Sequence, residues 1–268
     1  MKILVTGAAG TIGQVAMVGL ADRGHTVVGL DRVPAPEGYD ESTNDWHTAD
    51  CADADAVADV FAVHRLDAVV HLAGNPGEAS LPDSLTSHVV TTAALLDAMV
   101  EHGVTRIVHA SSNHAVGRTP RRELLGIDTP PRPDTFYGVA KVAAEALLSL
   151  YADRHGIDAV ACRIGSFQPQ PESVRQLSTW LSPDDCVRMF EAGLTAPSPG
   201  YAVLYGISAN TRAWWDLEPG RRLGYQPQDD AEEFAQLVAA SPQDEDEAAH
   251  VGGAFVGESM QRPALDRA

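Results

Sequence analysis

Lys2-Ile-Leu-Val-Thr6-Gly7-Ala-Ala-Gly10-Thr11-Ile12-Gly13 is the stretch that decides the fold of this chain. Its first five residues form an apolar, β-branched run that reads as a strand buried on both faces of a parallel sheet. A helical pattern follows the last glycine to about Arg23. Strand, glycine-rich turn and helix in that order give the glycine spacing its meaning as a dinucleotide cradle. Gly7 permits the tight turn, Gly10 lets the backbone approach a pyrophosphate, and Gly13 lets the helix pack closely on the sheet. Thr11 and Ile12 then lie at the helix N-terminus, whose free N–H groups face the phosphates.

Working outward, a second apolar run over residues 26–30 ends at Asp31. An acid at this distance can accept hydrogen bonds from the adenosine ribose and repels a 2′-phosphate, so it favours NAD. Arg32 follows directly and could greet that phosphate, which leaves NADP open. Residues 46–49 read as a short strand leading to Asp50 and Cys51, candidates for the adenine edge. Residues 68–72 form a further strand, running through Leu72 into Ala73-Gly74-Asn75-Pro76. A glycine at the carboxyl end of a parallel strand suits close passage of the backbone beside the cofactor.

The next strand, residues 106–110, delivers Ser111-Ser112-Asn113-His114 to the sheet edge where open α/β folds bind ligands. Some twenty-five residues on comes Tyr137-Gly-Val-Ala-Lys141. A spacing of four puts the phenol and the ammonium on one helical face, and the chain has only two lysines. A neighbouring ammonium should lower the tyrosine pKa and make it a usable base. The three residues then divide the work. Ser112 hydrogen-bonds the reacting oxygen, Tyr137 takes its proton as hydride leaves carbon, and Lys141 tunes Tyr137 and holds the nicotinamide ribose. His114 shares the strand end and is expected either to orient a substrate hydroxyl or to satisfy a loop carbonyl.

The 268 residues carry a formal charge of −18 and are 44% hydrophobic, enough for one large α/β domain. That charge makes nucleic acid and anionic membrane poor partners, and no apolar run is long enough to span a bilayer. With 37 acidic residues and two lysines, salt adaptation is a sharper reading of the surface; a stability that does not rise in molar salt would count against it. Cys51, Cys162 and Cys186 are odd in number and far apart. They suit a reducing cytoplasm better than disulfides or a zinc site. Asp184-Asp185 reads as a helix-start acid pair and not a metal site, and no metal is expected.

The glycine turn, Ser112 and Tyr137-x-x-x-Lys141 together resemble the extended short-chain dehydrogenase/reductase family. Within it, Ala110-Ser-Ser-Asn-His114, Arg163-Ile-Gly-Ser166, Arg175, Leu177-Ser-Thr-Trp180, Ser208-Ala-Asn210, Trp214-Trp215-Asp216 and Leu223-Gly-Tyr-Gln-Pro227 resemble the bacterial uronate dehydrogenase family over nearly the whole chain. The resemblance implies oxidation of the anomeric hydroxyl of a cyclic uronic acid to a lactone with NAD. It also implies a cofactor contact at Ile164 and substrate contacts at Ser112, Asn113, His114, Tyr137, Ser166 and Arg175. A guanidinium at Arg175 would match a uronate carboxylate. The chain departs from the family twice: Pro76 stands where a substrate-touching serine is usual, and His88 where an asparagine is common.

The expected fold is α/β, a doubly wound Rossmann-type parallel sheet with helices on both faces and a small C-terminal substrate lobe. Residues 1–165 would form the NAD(P)-binding core, 166–240 a substrate-binding lobe integrated with it, and 241–268 a loosely ordered acidic tail. Strand–helix alternation is expected to end at Arg163, with Trp214 and Trp215 packing the lobe onto the core. Three further functions share these features: a neutral aldose 1-dehydrogenase acting on a sugar such as L-arabinose, a nucleotide-sugar epimerase or dehydratase, and a non-catalytic dinucleotide sensor. Apolar helices near residues 89–100 and 139–150 suggest a homo-oligomer built by helix packing.

Overall fold

A computed structural model describes residues 1–37, 45–122 and 124–265. The described residues form a seven-stranded, wholly parallel sheet in the order β3-β2-β1-β4-β5-β6-β9. The strands are β1 (Lys2–Thr6), β2 (Thr26–Asp31), β3 (Asp45–Thr48), β4 (Ala68–His71), β5 (Arg106–Ser112), β6 (Asp158–Ile164) and β9 (Tyr201–Gly206). Strand order reverses between β1 and β4, the place where such sheets open a crevice for ligands. The doubly wound architecture expected from the sequence is borne out.

Helix α1 (Thr11–Asp22) covers one face together with α7 (Pro183–Thr195). The opposite face carries α2 (Ala54–Val63), α4 (Thr91–His102) and α5 (Phe136–His155). Two apolar cores result. Ala16, Met17 and Leu20 of α1 meet Val187 and Phe190 of α7 over Ile3, Val70 and Val160. On the other face, Val57, Phe61, Leu95, Met99 and Leu148 pack on Leu4, Val69 and Ile107. The short α3 (Leu81–Leu85) runs into a π-turn (Thr86–Val90) that leads into α4.

After β6 the chain places β7 (Ser166–Phe167) beside β8 (Trp180–Leu181), joined by α6 (Gln176–Thr179), as a two-stranded annex. Alternation does not end at Arg163 as expected, because α7 and β9 extend the main sheet. Pro, Trp and Gly in this stretch break the local pattern, but Ser182 caps α7, Pro183 opens it and Asp184 and Asp185 fill its first turn. Trp214 and Trp215 are buried in a third cluster with Tyr205, Ile207, Leu217 and Val251, so they pack as expected.

Residues 249–252 of the tail are docked and not loose. Val251 is fully buried. The backbone pairs Arg121 N–H with Ala249 C=O at 2.9 Å, Val251 N–H with Thr119 C=O at 3.0 Å and Gly252 N–H with Gly117 C=O at 2.8 Å. The acidic composition that suggested disorder describes residues 244–247; the segment after them is apolar and glycine-rich and docks on the loop that follows β5.

Candidate active site

At the carboxyl edge of β1, Gly7 takes φ +67°, and a Cβ there would lie 2.8 Å from the Ala73 nitrogen. A Cβ at Gly13 would lie 2.1 Å from the Gly7 carbonyl oxygen. Side chains at either place would fill the turn or lift α1 from it. Gly10 caps α1 with no side-chain hydrogen bond, so the first N–H groups of the helix stay open to a ligand. The Asp31 carboxylate accepts from Ala9 N–H at 3.0 Å and Val33 N–H at 3.2 Å, which fixes it beneath the turn.

These groups line a cavity of about 860 Å³. Every residue expected to touch the cofactor reaches it: Gly7, Gly10, Thr11, Ile12, Gly13, Asp31, Arg32, Asp50, Cys51, Leu72, Ala73, Gly74 and Ile164, with Tyr137 and Lys141. Ser112 lies on the same wall. The glycine turn, the uncapped helix and a cavity of this size suit an extended dinucleotide.

Ser112 ends β5 and caps the short turn Asn113–Val116, accepting from His114 N–H at 3.2 Å and donating to Asn113 Oδ1 at 3.2 Å. Tyr137 starts α5. Thr135 caps that helix through Gly138 N–H at 3.0 Å. The Glu78 carboxylate takes the N–H groups of Phe136 and Tyr137 at 3.0 and 3.1 Å. Lys141 lies one turn on, buried, with Nζ donating to the Ala110 carbonyl at 2.6 Å and 5.5 Å from the Tyr137 ring centre.

The electrostatics of this pair differ from the expectation. Burial pushes the Tyr137 phenol up to about 12, with Ser112 pulling it down by a hydrogen bond and Asp134 pushing it further up. Burial also brings Lys141 down to about 7, against Glu145, which favours its charged form. Desolvation is therefore the largest cause of both shifts; Lys141 is not among the causes at Tyr137, whose pKa is raised and not lowered.

The remaining expected substrate residues do not line the large cavity. Asn113 is buried and its Nδ2 donates to the Val251 carbonyl at 3.4 Å. His114 Nδ1 meets the Asp134 carboxylate at 2.9 Å rather than a loop carbonyl, and its ring lies 4.6 Å from Phe255. Ser166 pairs with Thr179 Oγ1 at 2.9 Å. Arg175 Nη2 donates to the Val251 carbonyl at 2.5 Å and Nη1 to Ser166 Oγ at 3.4 Å, while its buried Nε has no partner among the described residues. Burial lowers the Arg175 pKa, with Glu247 and Asp134 opposing. His114 and Tyr137 nonetheless share a small hollow with Pro76, Glu78, Thr135 and Phe255, beside the large cavity that Tyr137 also lines.

Sequence reasoning missed Glu78, Asp134 and the Val251 carbonyl, whose partners are far along the chain. It also missed a buried histidine group. Thr92 Oγ1 donates to the His88 carbonyl at 2.6 Å, so it accepts from His71 Nε2 at 3.1 Å. His71 Nδ1 then accepts from Thr6 Oγ1 at 2.7 Å, and Thr6 Oγ1 takes the Leu72 and Ala73 N–H groups at 3.2 Å. This relay of fixed donors ties α4 to the strand ends around Gly7. Beneath Lys141, Glu145 holds Arg163 through two bonds of 3.0 and 2.9 Å and accepts from Ser111 at 2.6 Å.

A model of the NAD dependent epimerase/dehydratase family matches residues 3–190. A uronate dehydrogenase of Pseudomonas syringae pv. tomato is 38% identical over 95% of this chain and 93% of its own length. A crystal structure of a mutant uronate dehydrogenase from Agrobacterium tumefaciens complexed with NAD superposes with a TM-score of 0.89 at 37% identity, covering 99% of each chain. The structure of a glucuronic acid dehydrogenase from Chromohalobacter salexigens gives a TM-score of 0.88 at 37% identity over 95% of this chain and 96% of that one. The chain belongs to the NAD dependent epimerase/dehydratase family, the extended branch of the short-chain dehydrogenases/reductases, as the resemblance implied.

Proposed function

We propose that this member of the family is an NAD-dependent dehydrogenase that oxidises the anomeric hydroxyl of a cyclic uronic acid to the lactone. The observation that carries the reading is the meeting of Ser112, Tyr137 and Lys141 on one wall of the cavity whose other end is the glycine turn and Asp31. When bound, NAD supplies the hydride acceptor. Asp31 and the open N–H groups of α1 hold its adenosine and pyrophosphate ends. Tyr137 takes the hydroxyl proton at its phenol oxygen, Ser112 hydrogen-bonds the same reacting oxygen, and Lys141 supplies positive charge beside them. Because the resting phenol sits at about 12, Tyr137 acts in concert with hydride departure rather than as a standing phenolate. Arg175, with an unpartnered buried Nε–H, is the donor for the carboxylate. Asn113, His114 and Ser166 position the remaining hydroxyls. The parts of residues 166–240 outside α7 and β9, with the docked tail, make the sugar side, and the half-exposed Val90, Val100, Val139 and Leu150 on α4, its entry turn and α5 form the face through which the chain pairs with a second copy.

Initial rates of NAD and NADP reduction with D-galacturonate, D-glucuronate, L-arabinose and D-xylose test the reading. Uronate turnover with NAD is the expected result. Turnover confined to pentoses would favour a neutral aldose dehydrogenase, the second reading, which the replacement of a substrate-touching serine by Pro76 motivates. Protein that arrives with NAD held permanently and oxidises no free sugar would favour an epimerase or dehydratase.

A further inference from the structure

Asn75 follows the end of β4, and both of its backbone polar groups are taken by consecutive residues of the π-turn. Its N–H donates to Ser87 Oγ at 2.7 Å and its carbonyl bonds His88 Nε2 at 2.9 Å. A carbonyl only accepts, so Nε2 carries the proton. Burial holds the imidazole neutral, with a pKa of about 3, which leaves Nδ1 a bare acceptor; it is buried with no partner among the described residues. Thr91 and Thr92 brace the turn through the Ser87 and His88 carbonyls at 2.8 and 2.6 Å. π-turns of this kind recur where a helix presents side chains to a site.

The loop beyond Asn75 is equally constrained. Pro76 fixes its own φ, Gly77 N–H returns to Asn75 Oδ1 at 3.0 Å, and Glu78 grips the first N–H groups of α5. The His88 and Tyr137 rings meet edge to face, centres 5.0 Å apart and planes at 82°. Gly74 belongs to the same fit, since a Cβ there would lie 2.4 Å from His88 Nδ1.

We infer that His88 is a positioning residue for sugar discrimination: by donating Nε2–H to the Asn75 carbonyl it holds residues 74–78 as a rigid strut between β4 and Tyr137. The sugar then meets a fixed wall at Pro76, which lines both the large cavity and the small hollow, where the family resemblance implies a serine. Pro76 and His88, the two departures from the family pattern, become one device. The inference rests on the sugar-oxidising reading above.

Side-chain geometry makes it testable. A glutamine amide nitrogen reaches the place of imidazole Nε2, whereas an asparagine amide reaches only that of Nδ1. His88→Asn therefore leaves a buried carbonyl unpaired, although asparagine is common at this place in relatives. With NAD as acceptor and D-galacturonate and D-glucuronate as substrates, His88→Asn should raise the sugar KM by roughly tenfold, with the NAD KM within about twofold of wild type. His88→Gln should restore the sugar KM to within about threefold. Wild-type behaviour of His88→Asn, or equal impairment of both variants, overturns the strut. Nitrogen-15 NMR of labelled histidines gives a reading independent of turnover. The ring signal lost in His88→Gln should show a protonated Nε2 and a bare Nδ1 in the wild type; a protonated Nδ1 overturns the inference. A wild type that oxidises no sugar but keeps this tautomer would refute the proposed function and leave the latch on Asn75 standing.

Discussion

The glycine-rich end of the cavity and the region around His114 and Arg175 are built by opposite means. At the first, the surface is shaped by backbone within a dozen residues: a positive φ at Gly7, missing side chains at Gly10 and Gly13, and an uncapped helix start. At the second, side chains are aimed by partners from far along the chain. Arg175 and Asn113 share the carbonyl of Val251, and Glu78 holds the helix that carries Tyr137. A backbone cradle tolerates change around it but none within it, whereas an assembly of distant side chains can be retuned one contact at a time. That fits a family that keeps its coenzyme and varies its substrate.

The largest expected effect falls where the two regions meet. Tyr137→Phe should lower kcat by about a thousandfold or more, the scale of a lost general base, with the NAD dissociation constant within about twofold. Retention of more than a few per cent of activity would place the base elsewhere. Next comes the cradle. A Cβ at Gly13 would stand 2.1 Å from the Gly7 carbonyl oxygen and 2.8 Å from the Ala8 carbonyl carbon, so Gly13→Ala must displace α1. NAD binding by titration calorimetry should weaken by about a hundredfold, since displacements near 1 Å carry costs of that order. Near-normal binding would break the contrast, because it would mean that the backbone geometry is not the recognition element.

On the other side, Arg175→Ala should raise the uronate KM by roughly a hundredfold, the scale of a lost buried charge contact. The KM for a neutral aldose and for NAD should move little. Equal effects on uronate and aldose would remove the carboxylate role and leave Arg175 as a clamp on the tail through Val251.

The same contrast governs what could be read from the sequence. β1, its turn, Asp31 and the strands through β6 follow from hydrophobic runs and glycine spacing, which are local signals. Tyr137 and Lys141 follow from helical spacing. Their electrostatics did not, because burial depends on the whole fold: Lys141 lies against β5 and Tyr137 against the π-turn, and desolvation reverses the sign of the shift expected for Tyr137. β9 and α7 were hidden by the Pro, Gly and Trp around them, although Ser182-Pro183-Asp184-Asp185 is a legible helix start. Glu78 and Val251 leave no local trace, since their partners lie 59 and 76 residues away. His71 and His109 read as ordinary strand residues until β4 and β5 set them side by side, ring centres 5.1 Å apart.

His71 and His88 provide the smallest effect and one that joins both regions, since His71 supports the cradle and His88 the loop. Burial, with Lys141 adding to it, brings each down to about 3 from an ordinary 6.5. Between pH 3 and 6.5 the unfolded chain binds protons that the folded chain refuses, so their contribution to stability is complete above pH 6.5 and is lost as pH falls toward 3. The chain's net charge of −18 acts in the opposite sense, because acid relieves repulsion among carboxylates. The difference between variants separates the two. The loss of urea-unfolding free energy between pH 7 and 5 should be shallower in His71→Gln than in wild type. Identical slopes for wild type and His71→Gln would mean that the histidine is not held neutral by burial. The cradle would then depend on its glycines alone.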